Sequence, residues 1–580
     1  MNERAAAGWS PPSRFLDPFF RDGPKVDFLS KFANPISSIA WRFPRLEFSV
    51  AIRLSYQPER SVQAWHLRCL GVLAWTLLFL GGTVPAVLAD RPASTNGSDV
   101  SRMTQSTRAG KAAGTPQTAS ESRQAIRRGW QVLTTQALLP SDFSQEVFDD
   151  LWRSWPEAAR RRAEQATLAE RRQMTMHRYG LTRRPELRFE GDEVRFVMPD
   201  PASEKEEIAT MSPMQYVVGE DGSWTMNCLA CHGGSVLGQS FPGAPNNRYG
   251  LQSLTEEVRS TKFRLGRSLG RMELGSIFIP LGTTHGTTNA VVFGMGLMHF
   301  RDAELNVLDR SPGQFTHHDM DAPPWWHFRR KKYLYIDGFA EKGHRGLMQF
   351  MLVPENGPEF FRRHEQDFRD VYAFLSALRP PEYPFEIDRE LADTGRAVFE
   401  SHCARCHGTY GEQADYPELI VDIDDVGTDP VRHQALTPEG RRRYGASWFA
   451  HAGESDEQQT RLEPSGYVAP PLDGIWASAP YFHNGSVPTL WHVLRPGQRP
   501  TVWQHLDVTS DPNREFAFDQ EKVGVPHRVA DRIPMENPDV AIRRTYFDTR
   551  RFGKSNAGHR YPDQLTEPQK HAVLEYLKTL

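Results

Sequence analysis

The chain has 580 residues, 39% hydrophobic and 24% charged, with a formal net charge of −3 at pH 7. That length carries two or more domains with cores of their own. A pI near 6.7 and the lack of a long basic run exclude nucleic acid as a partner.

Residues 1–59 carry scattered aromatics (Phe15, Phe19, Phe20, Trp41, Phe43) without a clear period, and no role is assigned to them. From Leu70 to Ala89 twenty residues run without a charge, after Arg60 and Arg68, and end in Val87-Leu88-Ala89 before Asp90. A basic flank, an apolar centre and small residues at the end compose an export signal over residues 60–89. The stretch ahead of it is far longer than an ordinary signal tolerates, and a translation start assigned upstream of the true one accounts for that. The competing reading is an uncleaved membrane anchor, because twenty apolar residues also span a bilayer; Gly81, Gly82 and Pro85 favour cleavage. The expected location is the periplasm or the exterior. Residues 90–123, rich in Ser, Thr, Gly and Ala, bury too little to fold and read as a disordered linker.

Beyond the linker, Trp130, Leu133, Phe148, Leu151, Trp152, Trp155 and Ala158 recur at helical spacing among many Arg and Glu, so residues 124 to about 184 read as an amphipathic helical lead-in. Then comes Cys228-Leu229-Ala230-Cys231-His232, matched further on by Cys403-Ala404-Arg405-Cys406-His407. In each, two thiols are spaced to add across the vinyl groups of one haem, and the histidine follows to supply an axial nitrogen to its iron. Two covalently bound c-type haems are therefore expected, attached at Cys228, Cys231, Cys403 and Cys406, with His232 and His407 on the irons. The only other cysteine is Cys69. A zinc site would need ligands from both motifs to converge, and a disulfide gives no reason for the histidine in both.

Between the motifs lie His285, His299, His317 and His318, none of which announces itself as a second ligand, so the first iron is read as open. Trp325 and Trp326 either fill a core or stand between haems. Arg329, Arg330, Lys331 and Lys332 follow as a solvated basic turn or as partners for haem propionates. After each motif comes a short helix with an aromatic and leucines on one face, Phe368 to Leu378 and Val573 to Leu580. The pattern divides the chain near Pro380 to Pro384 into an N-terminal haem domain, 124–380, and a C-terminal cytochrome c haem domain, 381–580. The fold class expected is mainly α with extensive loops, built from two cytochrome c-like haem domains. Leu391 to Ser401, with Gly395, Val398 and Phe399, reads as the opening helix of the second. Gly219, Gly222 and Trp224 ahead of Cys228 make no such helix, so the first unit departs from the pattern.

The two motifs, the string Ala469-Pro470-Pro471-Leu472-Asp473-Gly474-Ile475-Trp476, the run Ala479-Pro480-Tyr481-Phe482-His483-Asn484-Gly485 and the ending from Gly558-His559 to Tyr576-Leu577 resemble the dihaem cytochrome c peroxidase superfamily. Cys406-His407-Gly408-Thr409-Tyr410-Gly411 and Val426-Gly427-Thr428-Asp429-Pro430 are most similar to its rubber-oxygenase-like branch, whose known members cleave polyisoprene with dioxygen. The resemblance covers residues 124 to 580 and is more specific in the second half. It implies one haem for chemistry, the N-terminal one, and one for electron transfer. It implies His559 as sixth ligand of the second haem, with Met535 in reserve; bis-histidine ligation lowers the potential relative to His/Met. It further implies a hole-carrying tryptophan among Trp325 and Trp326, and an apolar pocket with an aromatic near the reactive haem, for which Phe339 is the candidate. The function so implied is an oxidoreductase, a haem-dependent peroxidase or dioxygenase. It would act on hydrogen peroxide or dioxygen, with a small redox protein as donor or an apolar organic substrate. A purely electron-transferring cytochrome with no open iron is the alternative.

Overall fold

The computed structural model describes residues 119–198, 213–311, 313, 315–451, 459–506 and 518–580. Cys69, the N-terminal extension 1–59, the export segment 60–89 and residues 90–118 of the expected linker lie outside them. Among the described residues no helix is long and apolar enough to cross a membrane.

The described chain is mainly α-helical, with long loops and short strands. Helix α1, Ala119–Thr135, turns Ile126, Gly129, Trp130, Val132 and Leu133 inward. It starts inside the stretch read as linker to residue 123, which corrects that boundary: Glu121 in the first turn suits the positive end of the helix dipole, and the buried Trp130 face carries the five residues from Ala119 to Arg123 with it. The expected single lead-in is broken into short helices, one of them held at Pro156, which stands as the N-cap of Glu157–Gln165. Strands β1 (Phe143–Ser144), β2 (Tyr216–Val218) and β3 (Ser223–Met226) form one antiparallel sheet in the order β1-β3-β2. Trp224 on β3 stacks on Phe148, ring centroids 4.2 Å apart, so the approach to Cys228 is a strand. The first motif is the single turn α2, Leu229–His232. Helix α3, Ala290–His299, precedes the Trp325–Arg329 turn, and α4, Glu365–Ala377, closes the first half. The second half opens with α5, Arg389–His402, leads through the motif turn α6, Ala404–His407, and α7, Pro438–Gly445, and ends with α8, Glu567–Lys578.

Two helix pairs carry the architecture. Helix α5 crosses α8 at Gly395, where a Cβ would collide with the Ala572 carbonyl. Helix α1 crosses α4 in the same way at Gly129, where a Cβ would collide with the Asp370 carbonyl, and Arg128 Nε donates to Asp370 Oδ2 at 2.6 Å beside it. The first half therefore has a crossing helix within the expected helical lead-in, while Ser223–Met226 ahead of Cys228 is a strand, as the absence of a helix there required. Residues 136–227 part α1 from its motif. Gly129-Trp130-Gln131-Val132-Leu133 and Gly395-Arg396-Ala397-Val398-Phe399 share glycine and valine at the same spacing, the signal that reading passed over.

Because a backbone carbonyl cannot yield as a side-chain tip does, Gly129→Val and Gly395→Val should each cost about 3 kcal/mol through overpacking at the crossing. Denaturant unfolding of the haem-loaded protein measures this. A loss below about 0.5 kcal/mol, the scale of ordinary surface changes, at either position would show that the helices do not meet there.

Candidate haem-binding sites

The turn bearing the first motif is fixed from several sides. Asn227 Oδ1 accepts from the Leu229 amide at 2.9 Å and Asn227 Nδ2 donates to the Met214 carbonyl at 3.0 Å. The Asn246 amide donates to the Cys231 carbonyl at 2.8 Å, and Asn246 Nδ2 to the Ala230 carbonyl at 3.0 Å. His232 Nδ1 lies 3.0 Å from the Pro323 carbonyl oxygen. A carbonyl only accepts, so Nδ1 carries the proton and Nε2 keeps the lone pair a metal requires. Trp325 stacks on the His232 ring, centroids 4.8 Å apart and planes 20° apart; its amide donates to Gly243 O at 2.8 Å.

The second motif repeats the device. His407 Nδ1 lies 2.8 Å from the Pro470 carbonyl oxygen, and Tyr410 Oη donates to the His407 carbonyl at 2.9 Å while accepting from the Leu472 amide at 2.6 Å. Pro323 and Pro470 occupy the same place in Ala322-Pro323-Pro324 and Ala469-Pro470-Pro471. Both strings were visible in the sequence, but only their common partner, a motif histidine, shows that they are one repeat. Burial pushes the Cys228 thiol up to about 11 and Cys403 to about 11; burial, with Cys228 and Asp321 nearby, pushes Cys231 up to about 12. Redox-active Cys-x-x-Cys thiols are shifted the other way. Among the described residues no three His, Cys, Asp or Glu side chains gather as a metal site, so the convergence a zinc reading needs is not formed.

His559 stands over the second motif, its ring centroid 6.2 Å from that of His407 with planes 67° apart. Two metal–imidazole bonds of about 2 Å each, plus the ring radii, span roughly 6 Å. The pair, with the two thiols beside it, therefore fits a bis-histidine haem. The His559 Nδ1 is buried without a hydrogen-bond partner, and burial, with His407 and Arg499 adding, pushes the ring down to about 3, so it is neutral. Its place is held by backbone. The His559 amide donates to the Val426 carbonyl at 2.6 Å, Gly558 at φ +77 presses against Gly427 where a Cβ could not fit, and Arg499 Nη1 donates to the Asn556 and Gly558 carbonyls at 2.7 Å each. Asp429 Oδ2 accepts from the Ser555 amide at 2.9 Å. The Val426-Gly427-Thr428-Asp429 string thus cradles the His559 loop. Met535, the reserve ligand, is 60% exposed.

The other histidines have partners elsewhere. His285 Nε2 lies 3.2 Å from Ser253 Oγ, His317 Nδ1 lies 3.1 Å from Asn289 Nδ2, His318 Nδ1 donates to the Thr316 carbonyl at 2.9 Å and His299 Nε2 to the Ser311 carbonyl at 3.0 Å. Among the described residues, Trp325 is the one aromatic ring packed on His232.

Trp326 is fully buried and joins the halves: its Nε1 donates to the Asp473 carbonyl at 2.7 Å, with His327 Nε2 at 2.8 Å from the same oxygen. The Asp473 carboxylate is matched by Arg329 Nη2 at 3.4 Å and Arg330 Nε at 2.7 Å, the latter an ion pair without hydrogen-bond alignment. The basic run is therefore solvated in part, with Arg329 and Lys332 exposed and Arg330 and Lys331 partly buried. Its first two residues anchor Asp473, Lys331 Nζ donates to the Tyr335 carbonyl at 3.3 Å, and the Lys332 amide donates to Glu418 Oε2 at 2.9 Å.

Phe339 is buried between Tyr335, stacked at 4.8 Å, and Tyr444, edge-on at 5.2 Å. It lines a cavity of about 210 Å³ walled by α3 and α7, with Met295, Met298, Phe315, Phe350 and Leu436. Cys228 packs against the apolar cluster that holds Phe339, Met298, Leu436 and Tyr444. The cavity and Cys228 thus share one apolar cluster, although no residue of the first motif lines the cavity itself.

Residues 466–504, which include the Pro470 carbonyl and the Asp473 anchor, match the RoxA-like, cytochrome c-like family model. Two relatives come from Sinorhizobium fredii (strain NBRC 101917 / NGR234). Uncharacterized protein y4iM is 29% identical over 250 residues, 36% of this chain and 53% of that protein. Uncharacterized protein y4iJ is 29% identical over 270 residues, 36% of this chain and 42% of that protein. The chain thus spans about half the length of the curated relatives it matches. A RoxA-like cytochrome c-like segment implies a c-type haem and hints at an oxidoreductase, and Pro470, whose carbonyl meets His407, lies within that segment.

Proposed function

We propose that the chain is an exported dihaem c-type cytochrome oxidoreductase, with hydrogen peroxide or dioxygen activated at the site of His232 and electrons relayed through the site of His407 and His559. The observation that carries this reading is the inequality of the two histidines: His407 faces a second imidazole 6.2 Å away, while the ring packed on His232 among the described residues is the indole of Trp325. A haem with one protein ligand supplies a vacant coordination position, and one with two supplies electron transfer.

The chain's own residues do the rest. Cys228 and Cys231 attach one haem and Cys403 and Cys406 the other, and the proline carbonyls hold His232 and His407 in the ligating tautomer. Trp325 and Trp326, running from the His232 ring to Asp473, are placed to pass an electron between the halves. Phe339, Met295 and Met298, in the apolar cluster that Cys228 packs against, would offer an apolar organic substrate a surface in the oxygenase form; a peroxidase would draw on a small redox protein instead. Whether polyisoprene itself is the substrate depends on cavity residues rather than fold. Export to the periplasm or beyond, or anchoring through residues 70–89, is supported by the charge-free stretch and by covalent haem attachment.

Ferrous wild-type protein should take up one equivalent of carbon monoxide per chain. No uptake would replace the enzyme reading with the electron-transfer alternative. Replacing Cys228 and Cys231 by alanine should remove one of two covalent haem equivalents after denaturing electrophoresis and abolish peroxide-driven donor oxidation, or dioxygen consumption with an unsaturated hydrocarbon, while the His407 haem stays bound; an unchanged haem content defeats the assignment.

His559→Ala should open the second iron, raising carbon monoxide uptake from one equivalent to two. If uptake and the low-spin spectrum are both unchanged, another group is the ligand.

A further inference from the structure

The loop that carries His559 is held by a side chain whose charge the ligation geometry does not need. Arg499 is half-buried, and all five of its N–H groups go to backbone carbonyls. Its Nε donates to His492 at 3.0 Å, Nη1 to Asn556 and Gly558 at 2.7 Å each, and Nη2 to Val493 at 3.3 Å and His559 at 3.4 Å. Holding carbonyls takes donors, which a neutral amide also has; a guanidinium brings a permanent positive charge besides. Nothing bonded to Arg499 neutralises that charge, because every acceptor is a carbonyl and no N–H is left over for a carboxylate. Of the charged side chains that act on it, Asp563 is exposed and bound to Arg560 at 2.7 Å, and those two oppose each other.

The charge lies near the imidazole pair of the second motif. Arg499 Cζ is 4.8 Å from the centroid of the Phe482 ring, and that centroid is 6.1 Å from the His559 ring, so the guanidinium is within about 11 Å of that imidazole. Reduction of a haem iron adds one electron, and a nearby cation favours the state that holds it. At an effective dielectric constant of about 20, a unit charge at that distance changes a one-electron equilibrium about tenfold. Two imidazoles act in the opposite sense, lowering the potential relative to His/Met, and a haem too low in potential is a poor acceptor from an outside donor. We propose that Arg499 offsets that drop: its unneutralised charge raises the potential of the haem closed by His559 and keeps it reducible. Arg499 is then a positioning residue that sets a potential as well as a loop. The proposal rests on the reading of His407 and His559 as that haem's axial ligands.

Redox titration of the haem-loaded protein, followed by the bis-histidine low-spin signal in electron paramagnetic resonance, tests it. Arg499→Gln keeps an amide for the carbonyls and removes the charge. At a fixed ambient potential its ratio of ferrous to ferric second haem should fall about tenfold, a downward shift of about 59 mV for one electron, with the low-spin signal retained. Arg499→Lys keeps the charge without the fork and should leave that ratio within about threefold of wild type, since the charge alone sets it. An unchanged potential in Arg499→Gln, or an equal fall in both variants, would overturn the proposal. So would loss of the low-spin signal or of folded protein in Arg499→Gln, because Arg499 would then do no more than hold the loop. Failure of the underlying reading looks different: a wild-type protein with no bis-histidine signal removes the ligation by His559 before any variant is compared.

Discussion

A neutral imidazole has one N–H to give, and at both motifs it goes to the carbonyl of the first proline in an Ala-Pro-Pro string, Pro323 for His232 and Pro470 for His407. The carbonyl decides which nitrogen is left to ligate, and it binds each one-turn motif to a distant stretch of chain. Much of the rest hangs on those two stretches. After Pro324 come Trp325, stacked on His232, and Trp326, bonded to Asp473. After Pro471 comes Leu472, whose amide is held by Tyr410, then Asp473 itself. The two histidine clamps are thereby coupled through about five residues of side chain and backbone.

The asymmetry between the sites has a physical origin in what covers each imidazole. Over His407 the chain places His559, and it secures that residue at φ +47 with the Val426 carbonyl, the Gly427–Gly558 contact and Arg499. A non-glycine residue in the left-handed region carries strain, and the surrounding bonds hold it there. On the His232 ring the described residues stack the indole of Trp325. On the proposed reading, one site excludes further ligands and the other admits them.

The haem chemistry was legible in the sequence because Cys-x-x-Cys-His is local, and the helices around Phe368 and Val573 because their apolar faces have a helical period. Gly395 was legible because its helix abuts its motif. Gly129 was not, since residues 136–227 part it from Cys228 and its partner Asp370 lies far along the chain. The histidine clamps were unreadable for the same reason: nothing in Ala322-Pro323-Pro324 announces that a carbonyl will meet a ring 91 positions earlier. The resemblance led to His559, and the 6.2 Å approach to His407 supplies a geometry that spacing alone could not. The basic run Arg329 to Lys332 has a mixed outcome: Arg329 and Lys332 are exposed, as a solvated turn requires, while the fold supplies Asp473 as a partner for Arg329 and Arg330.

The central claim is that two haems on one chain differ in axial ligation, and the electron paramagnetic resonance spectrum of the oxidised protein reads both irons at once. The account predicts one low-spin signal of bis-histidine type, lost in His559→Ala, and a second, distinct signal from an iron bearing a single protein ligand. Two bis-histidine signals of equal intensity, or a spectrum that His559→Ala leaves unchanged, would contradict it.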